Sequence, residues 1–316
     1  MNKTIENLVI SGGAMRGFCF IGAIKYLEEI NILNTIKTFT GTSIGGCLAL
    51  LLNLNYSSKE LIEIFTNVDI EKYRDINLDN ILHFFENYGI DDGIRILNIF
   101  KILLVSKLNI LDKTYNETIT FAELFKLTKK KITIVGCCLN DMETIYYNHE
   151  NFPDMKILDA LRITFSIPFM FKPVTINNKI YIDGGLLNNY PIELYDKETT
   201  LGLVSTSINI YNKNIENIEH FFTSVIFITY YNLLKKKIED YDENTINIEY
   251  ELNSFDFDMD KNQKLKLINE GYEKTKSIYN NKFLKESNDY NEESDKESDN
   301  DSDKESDNDS DKESEN

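Results

Sequence analysis

Apolar and polar positions fall along this chain in blocks whose period changes, and the order of those blocks predicts strands alternating with helices. Leu8-Val9-Ile10 is a short β-type run that stops at Ser11-Gly12-Gly13. Between Met15 and Glu29, Phe18, Ile21, Ile24, Tyr26 and Leu27 recur close to helical spacing, which predicts a helix. Thr38-Phe39-Thr40 gives a second strand, Gly41 to Gly46 a tight turn, and the apolar run Cys47 to Leu52 a buried helix. Lys131 to Val135 and Thr144 to Tyr147 read as two strands joined through the turn chemistry of Asn140-Asp141. Thr175 to Ile182 reads as a hairpin around Asn177-Asn178, and Leu201 to Val204 as a further buried strand. The expected fold is therefore α/β, with a mostly parallel central sheet flanked by helices.

Residues 56 to 128 read as mainly helical. Within them, Ile94 to Leu111 has an apolar face interspersed with Arg95, Lys101 and Lys107, a pattern shared by an ordinary packed helix and a lipid-touching flap. Residues 213 to 283 read as helices with one polar interruption near Asp240 to Thr245. From Ser294 the sequence Ser-Asp-Lys-Glu-Ser-Asp-Asn-Asp repeats, and no apolar residue follows Tyr290. Such a segment buries nothing and is expected to be disordered; its Ser-acid pairs also fit phosphorylation, against the plainer reading of a solvated repeat. Three units result: residues 7–205 as the main domain, 206–285 as a mainly helical extension packed on it, and 286–316 as an acidic tail.

Charge changes the picture once it is located. The 316 residues carry a net −18, but fifteen acids against three lysines in 286–316 supply −12 of it. The remainder is mildly acidic, and neither part suits nucleic acid as a partner. Four cysteines, Cys19, Cys47, Cys137 and Cys138, show no CxxC spacing, so neither zinc nor a disulfide framework is expected. Free thiols in a reducing compartment are the simpler expectation. The N-terminus has no basic region ahead of an apolar one, and the apolar stretch Phe221 to Leu234 falls short of the ~20 residues of a membrane span. A cytoplasmic protein is expected, without signal peptide or transmembrane helix.

Three glycine-containing turns carry candidate chemistry. Gly41-Thr-Ser43-Ile-Gly45 matches the GxSxG nucleophile elbow, in the strand-turn-helix context that motif requires. A plain βα turn capped by Ser43 gives the same letters. Ser11-Gly12-Gly13-Ala14-Met15-Arg16-Gly17 is a second strand-to-helix glycine turn, whose backbone N–H groups form an anion site. No GK[ST] follows and Ala14 breaks GxGxxG, which counts against a nucleotide loop. With Ser43 as a nucleophile this loop becomes an oxyanion hole, and Arg16 either adds positive field or is an ordinary surface arginine. Asp183-Gly184-Gly185 closes the hairpin strand among Tyr181, Ile182, Leu186 and Leu187, apolar surroundings that raise a carboxyl pKa and make it a better base.

Together and in this order, the three turns resemble the patatin-like phospholipase family, related to the cytosolic phospholipase A group. Ser166-Ile-Pro168-Phe-Met-Phe171-Lys-Pro173 and Asn189-x-Pro191 resemble the family's segments on either side of the Asp, and the likeness spans roughly residues 7 to 205. The resemblance implies a Ser–Asp dyad, with Ser43 attacking an ester carbonyl and Asp183 taking its proton. It implies Gly12, Gly13 and Ala14 as oxyanion donors, supported by Arg16, Gly17, Gly41, Gly45, Gly184 and Gly185. It also implies a phospholipid or other acyl ester as substrate, contact with a membrane surface, and no metal or cofactor. Ala14 departs from the Gly of many members; its N–H survives as a donor unless the position requires positive φ. The rival reading is an α/β-hydrolase with a Ser-His-Asp triad. Of three histidines, His83, His149 and His220, the last gives that fold's chain order with Ser43 and Asp183, although its surroundings read as helix. A non-catalytic lipid-binding protein of the same fold is the third.

Overall fold

The computed structural model describes residues 4–74, 82–207, 215, 218–250 and 258–284. The acidic repeat lies outside the described residues. Eight strands form one sheet: β1 (Asn7–Ile10), β2 (Thr38–Thr42), β4 (Lys131–Cys138), β5 (Glu143–Tyr147), β7 (Val174–Ile176), β8 (Lys179–Asp183), β9 (Thr200–Ser207) and β10 (Thr245–Tyr250). They run in the order β10-β9-β1-β2-β4-β8-β7, with β5 also paired to β4. From β10 to β4 every neighbour is parallel, while β5, β8 and β7 join antiparallel. The β7–β8 turn is the expected one: Asn177 and Asn178 both take positive φ, the conformation that a two-residue hairpin turn demands.

Helices α1 (Gly17–Glu29), α2 (Ile44–Asn53), α3 (Ser58–Asn67), α4 (Phe84–Asn87), α5 (Ile94–Leu111), α6 (Phe121–Thr128), α7 (Ile157–Thr164), α8 (Gly185–Asn188), α9 (Ile218–Asp240) and α10 (Lys261–Tyr279) complete the described elements, with short 3₁₀ turns between them. α2 is buried from Gly45 to Asn53, as its unbroken apolar run demands. α3 and α6 begin on reciprocal capping boxes, Ser57 with Glu60 and Thr120 with Glu123, which satisfy otherwise orphaned amides.

Two segments differ from the helical expectation. Gly89–Asp91 forms strand β3, paired in parallel with β6 (Phe169–Phe171) outside the main sheet. The extension is not purely helical either. Thr245-Ile-Asn-Ile-Glu-Tyr alternates with period two, buries Ile246 and Ile248 completely, and adds β10 to the sheet edge beside β9. α10 then packs across α1, where the Tyr26 and Tyr272 rings meet edge to face at 5.7 Å. All four cysteines are free and buried, and burial pushes the Cys19 thiol up to about 12 and Cys137 up to about 11.

Candidate active site

Strand register brings the candidate residues together. Along β4, residues 131–135 pair with β2, 134–138 with β5, and 136–138 with β8. The overlaps place β5 on one edge and both β2 and β8 on the other. β2 therefore runs up that edge as far as Thr42 opposite Val135, and β8 runs down it as far as Asp183 opposite Gly136. The two strands meet end to end, so the residue that leaves β2, Ser43, abuts the last residue of β8. β1 ends level with them, Ile10 lying beside Gly41, and so the Gly12 loop leaves the sheet alongside the elbow.

Ser43 sits at φ 54° and ψ −127°, a strained conformation for a residue with a side chain. Its N–H donates to Thr164 Oγ1 at 2.8 Å, and that hydroxyl donates to the Val135 carbonyl at 2.6 Å, tying the elbow to β4. Gly41 and Gly45 are required by proximity: a Cβ on Gly41 would strike the Gly45 backbone, and one on Gly45 the carbonyls of Ile10 and Ser11. The Ser43 side chain lies beside the Asp183 carboxylate, where it acts to lower that group's pKa. Asp183 accepts the Gly185 N–H at 2.7 Å, and its own N–H donates to the Ser166 carbonyl at 3.0 Å. Burial raises the Asp183 pKa to about 7, although the Gly185 N–H and the Ser43 side chain pull the other way. Gly184 follows it against β4, packed on Val135.

The glycine loop is more constrained than the sequence suggests. Ala14 takes φ 48°, so the position does favour glycine and the alanine is strained there. The Gly12 N–H donates to the Asn189 carbonyl at 3.2 Å, and no partner is seen for the Gly13 and Ala14 amides among the described residues. Arg16 is not a surface residue. It is 1% exposed, with Nε and Nη1 buried and unpartnered, and its positive charge pulls against the rise that burial gives the Tyr230 pKa. Gly17 begins α1 directly behind the loop.

Beside Ser43 opens a cavity with about 880 Å³ of empty space, part of it continuous with solvent. Its walls are almost wholly apolar. α1 contributes Phe18, α3 contributes Ile64 and Phe65, α5 contributes Ile96, Ile99 and Phe100, and Phe165, Ile167 and Phe171 close the far side. α5 buries Phe100, Leu104 and Leu108 as a packed helix does, while its Ile94, Ile102 and Ile110 are more than half exposed. Leu82, Phe85, Tyr88 and Phe169 are exposed as well. Phe169 holds φ 68° with its ring 6.4 Å from that of Phe84.

The described histidine contacts lie with residues other than Ser43 and Asp183. His83 pairs with Glu86, and His149 stacks on Phe125 with centroids 3.9 Å apart. His220 falls on α9, and its side chain lies outside the described residues. Thr164, Asn189 and Tyr230 bond the site without having been singled out for it. Only Asn189 carried a signal, as part of Asn189-x-Pro191. Among the described residues no cluster of three metal-ligating side chains occurs, and no helix is long and apolar enough to cross a membrane.

Comparison with known proteins adds independent observations. A family model described as patatin-like phospholipase matches residues 8–195. The chain is 32% identical over 224 residues to a probable lipid hydrolase, 463L, of Invertebrate iridescent virus 6, covering 67% of this chain and 74% of that protein. Among solved structures it resembles VipD of Legionella pneumophila, with a TM-score of 0.56 at 16% identity over 88% of this chain and 67% of that one. It also resembles ExoU of Pseudomonas aeruginosa, solved in complex with SpcU, with a TM-score of 0.56 at 17% identity over 89% of this chain and 53% of the other, about half its length. At such identities the two structures speak for the fold alone.

Proposed function

Because this chain belongs to the patatin-like phospholipase family, we propose that it is a phospholipase A-type or lysophospholipase acyl hydrolase working through a Ser43–Asp183 dyad. The observation that carries this reading is a strained serine on a strand-to-helix turn, beside a buried carboxylate and a cavity with almost no polar wall. An acyl chain lies in the cavity with its ester carbonyl over Ser43. Ser43 Oγ attacks the carbonyl carbon as its proton passes to Asp183. A carboxylate is a weak base for an alcohol, so transfer accompanies attack, and the pKa raised by burial narrows the mismatch. The oxyanion forms against the Gly13 and Ala14 amides, each such donor supplying about 3–4 kcal/mol. Collapse breaks the bond to the alcohol, which leaves with the proton from Asp183. Water then attacks the acyl-enzyme with Asp183 again as base, releasing the fatty acid and restoring Ser43.

In this reading the exposed Leu82, Phe85, Tyr88, Ile94 and Phe169 meet the lipid surface. Exposing a bulky ring at a strained φ, as Phe169 does, costs stability twice, which supports a binding role rather than a packing one. Residues 7–205 form the hydrolase unit, 206–285 an extension that completes its sheet, and 286–316 a charged tail, all acting in a reducing compartment. Acyl release from a phospholipid panel tests the assignment. Wild type is expected to hydrolyse at least one phospholipid or lysophospholipid and Ser43→Ala to fall by about 10⁴-fold or more. A Ser43→Ala protein as active as wild type contradicts it, and an inactive but folded wild type favours a lipid-binding role.

A further inference from the structure

The Gly12–Gly13 peptide is the weak point of a site built on backbone donors. With glycine on both sides, little steric resistance opposes its rotation, and rotation would turn the Gly13 amide away from the oxyanion. The Gly12 carbonyl, however, accepts from three donors: Ser11 Oγ at 3.1 Å, Asn189 Nδ2 at 3.2 Å and the Tyr230 hydroxyl at 3.4 Å. The peptide is trans, so its C=O and N–H point in opposite directions, and pinning the carbonyl aims the Gly13 N–H the other way.

Tyr230 joins these contacts. Its oxygen accepts Asn189 Nδ2 at 2.8 Å and lies in the field of the buried Arg16 guanidinium, so one phenol links the loop to Asn189, which follows the Asp183 turn. It is buried on α9, beyond the residues 8–195 matched by the family model. Leu234, one turn further on, is buried in the same apolar cluster and anchors the helix.

Resting on the hydrolase reading above, we infer that Tyr230 is a positioning residue: the C-terminal extension reaches into the active site and uses this phenol to fix the orientation of the oxyanion-binding peptide. Removing the hydroxyl takes one of three donors from the Gly12 carbonyl and leaves Asn189 short of a partner, so the peptide is held less firmly and the transition state loses more than the bound substrate does.

The test compares full-length wild type, Tyr230→Phe and Leu234→Ala on a soluble short-chain ester, with rates normalised to Ser43 sites titrated by a fluorophosphonate. For Tyr230→Phe, kcat per titrated site falls about 10- to 100-fold with KM unchanged. The inhibition constant of a trifluoromethyl ketone, which forms a tetrahedral adduct on the serine, rises by a similar factor. Leu234→Ala lowers Tm while kcat per site and that inhibition constant stay within about twofold of wild type. The inference is overturned if Tyr230→Phe keeps both quantities within about twofold, or if Leu234→Ala shifts them as far, since seating of the helix would then explain the effect. A folded wild type whose Ser43 takes no label overturns the hydrolase reading and this inference with it. An active wild type matched by Tyr230→Phe overturns this inference alone.

Discussion

On one side of Ser43 stand Asp183, Thr164, Asn189 and Tyr230, buried polar groups tied to the backbone, and Asn189 to Tyr230, by hydrogen bonds of 2.6 to 3.4 Å. On the other side, α3 and α5 present isoleucine and phenylalanine to an open cavity. The polar wall acts through direction, so the loss of one atom is felt as a rate. The apolar wall acts through area and shape, so its substitutions are felt as a choice among substrates.

The comparison breaks most sharply at Asp183. Asp183→Asn is expected to reduce ester hydrolysis by about 10⁴-fold while raising Tm at pH 8. The sign follows from the pKa near 7, well above the ordinary carboxyl value. The folded state binds the proton more tightly than the unfolded chain, so the cost of holding the charged form sets in above pH 4 and is complete by pH 7 to 8. Asparagine carries no such cost. Calorimetry of the two proteins at pH 4 and pH 8 checks it, and a variant less stable at pH 8 than at pH 4 relative to wild type contradicts it.

On the apolar wall, Ile96→Trp narrows the cavity. Hydrolysis of long-chain acyl esters is expected to fall about 10- to 100-fold and that of a butyrate ester to stay within about twofold, measured as kcat/KM across a chain-length series. Among the exposed apolar residues, Phe85→Ser is expected to lower activity on phosphatidylcholine vesicles several-fold and to leave the soluble ester unaffected, with vesicle flotation reporting the lost binding. Smallest of all, Ala14→Gly relieves the strained φ of the loop and is expected to raise stability by about 1 kcal/mol, or ~2–4 °C in Tm.

The same contrast decides how much of the molecule could be read from its letters. Glycine-flanked turns at Gly12, Ser43 and Asp183 stand out because close backbone approach restricts which residues fit, and the strand-helix order around them gave the α/β fold. Contact between Ser43 and Asp183 follows from two strands sharing one edge of β4, a tertiary pairing that no local pattern encodes. β10 was hidden for another reason: six alternating residues beside helical segments look like a polar break until β9 supplies an edge to pair with. Cavity-lining isoleucines and phenylalanines at helical spacing are indistinguishable from core, since both are apolar for the same reason. Arg16 and Tyr230 are both buried from positions over two hundred residues apart, and although Arg16 belongs to a recognisable turn, nothing local marks Tyr230 or joins the two.

The central claim, a Ser43 nucleophile activated directly by a buried Asp183, is tested most directly by the rate at which a fluorophosphonate labels Ser43 as a function of pH, with the modified peptide identified by mass spectrometry. In wild type the rate is expected to climb about tenfold per pH unit below 7 and to level off near pH 8, as Asp183 loses its proton, and in Asp183→Asn to be slow at every pH. Labelling of Ser43 that is equally fast in both proteins, or no label on Ser43 in the folded wild type, would contradict it.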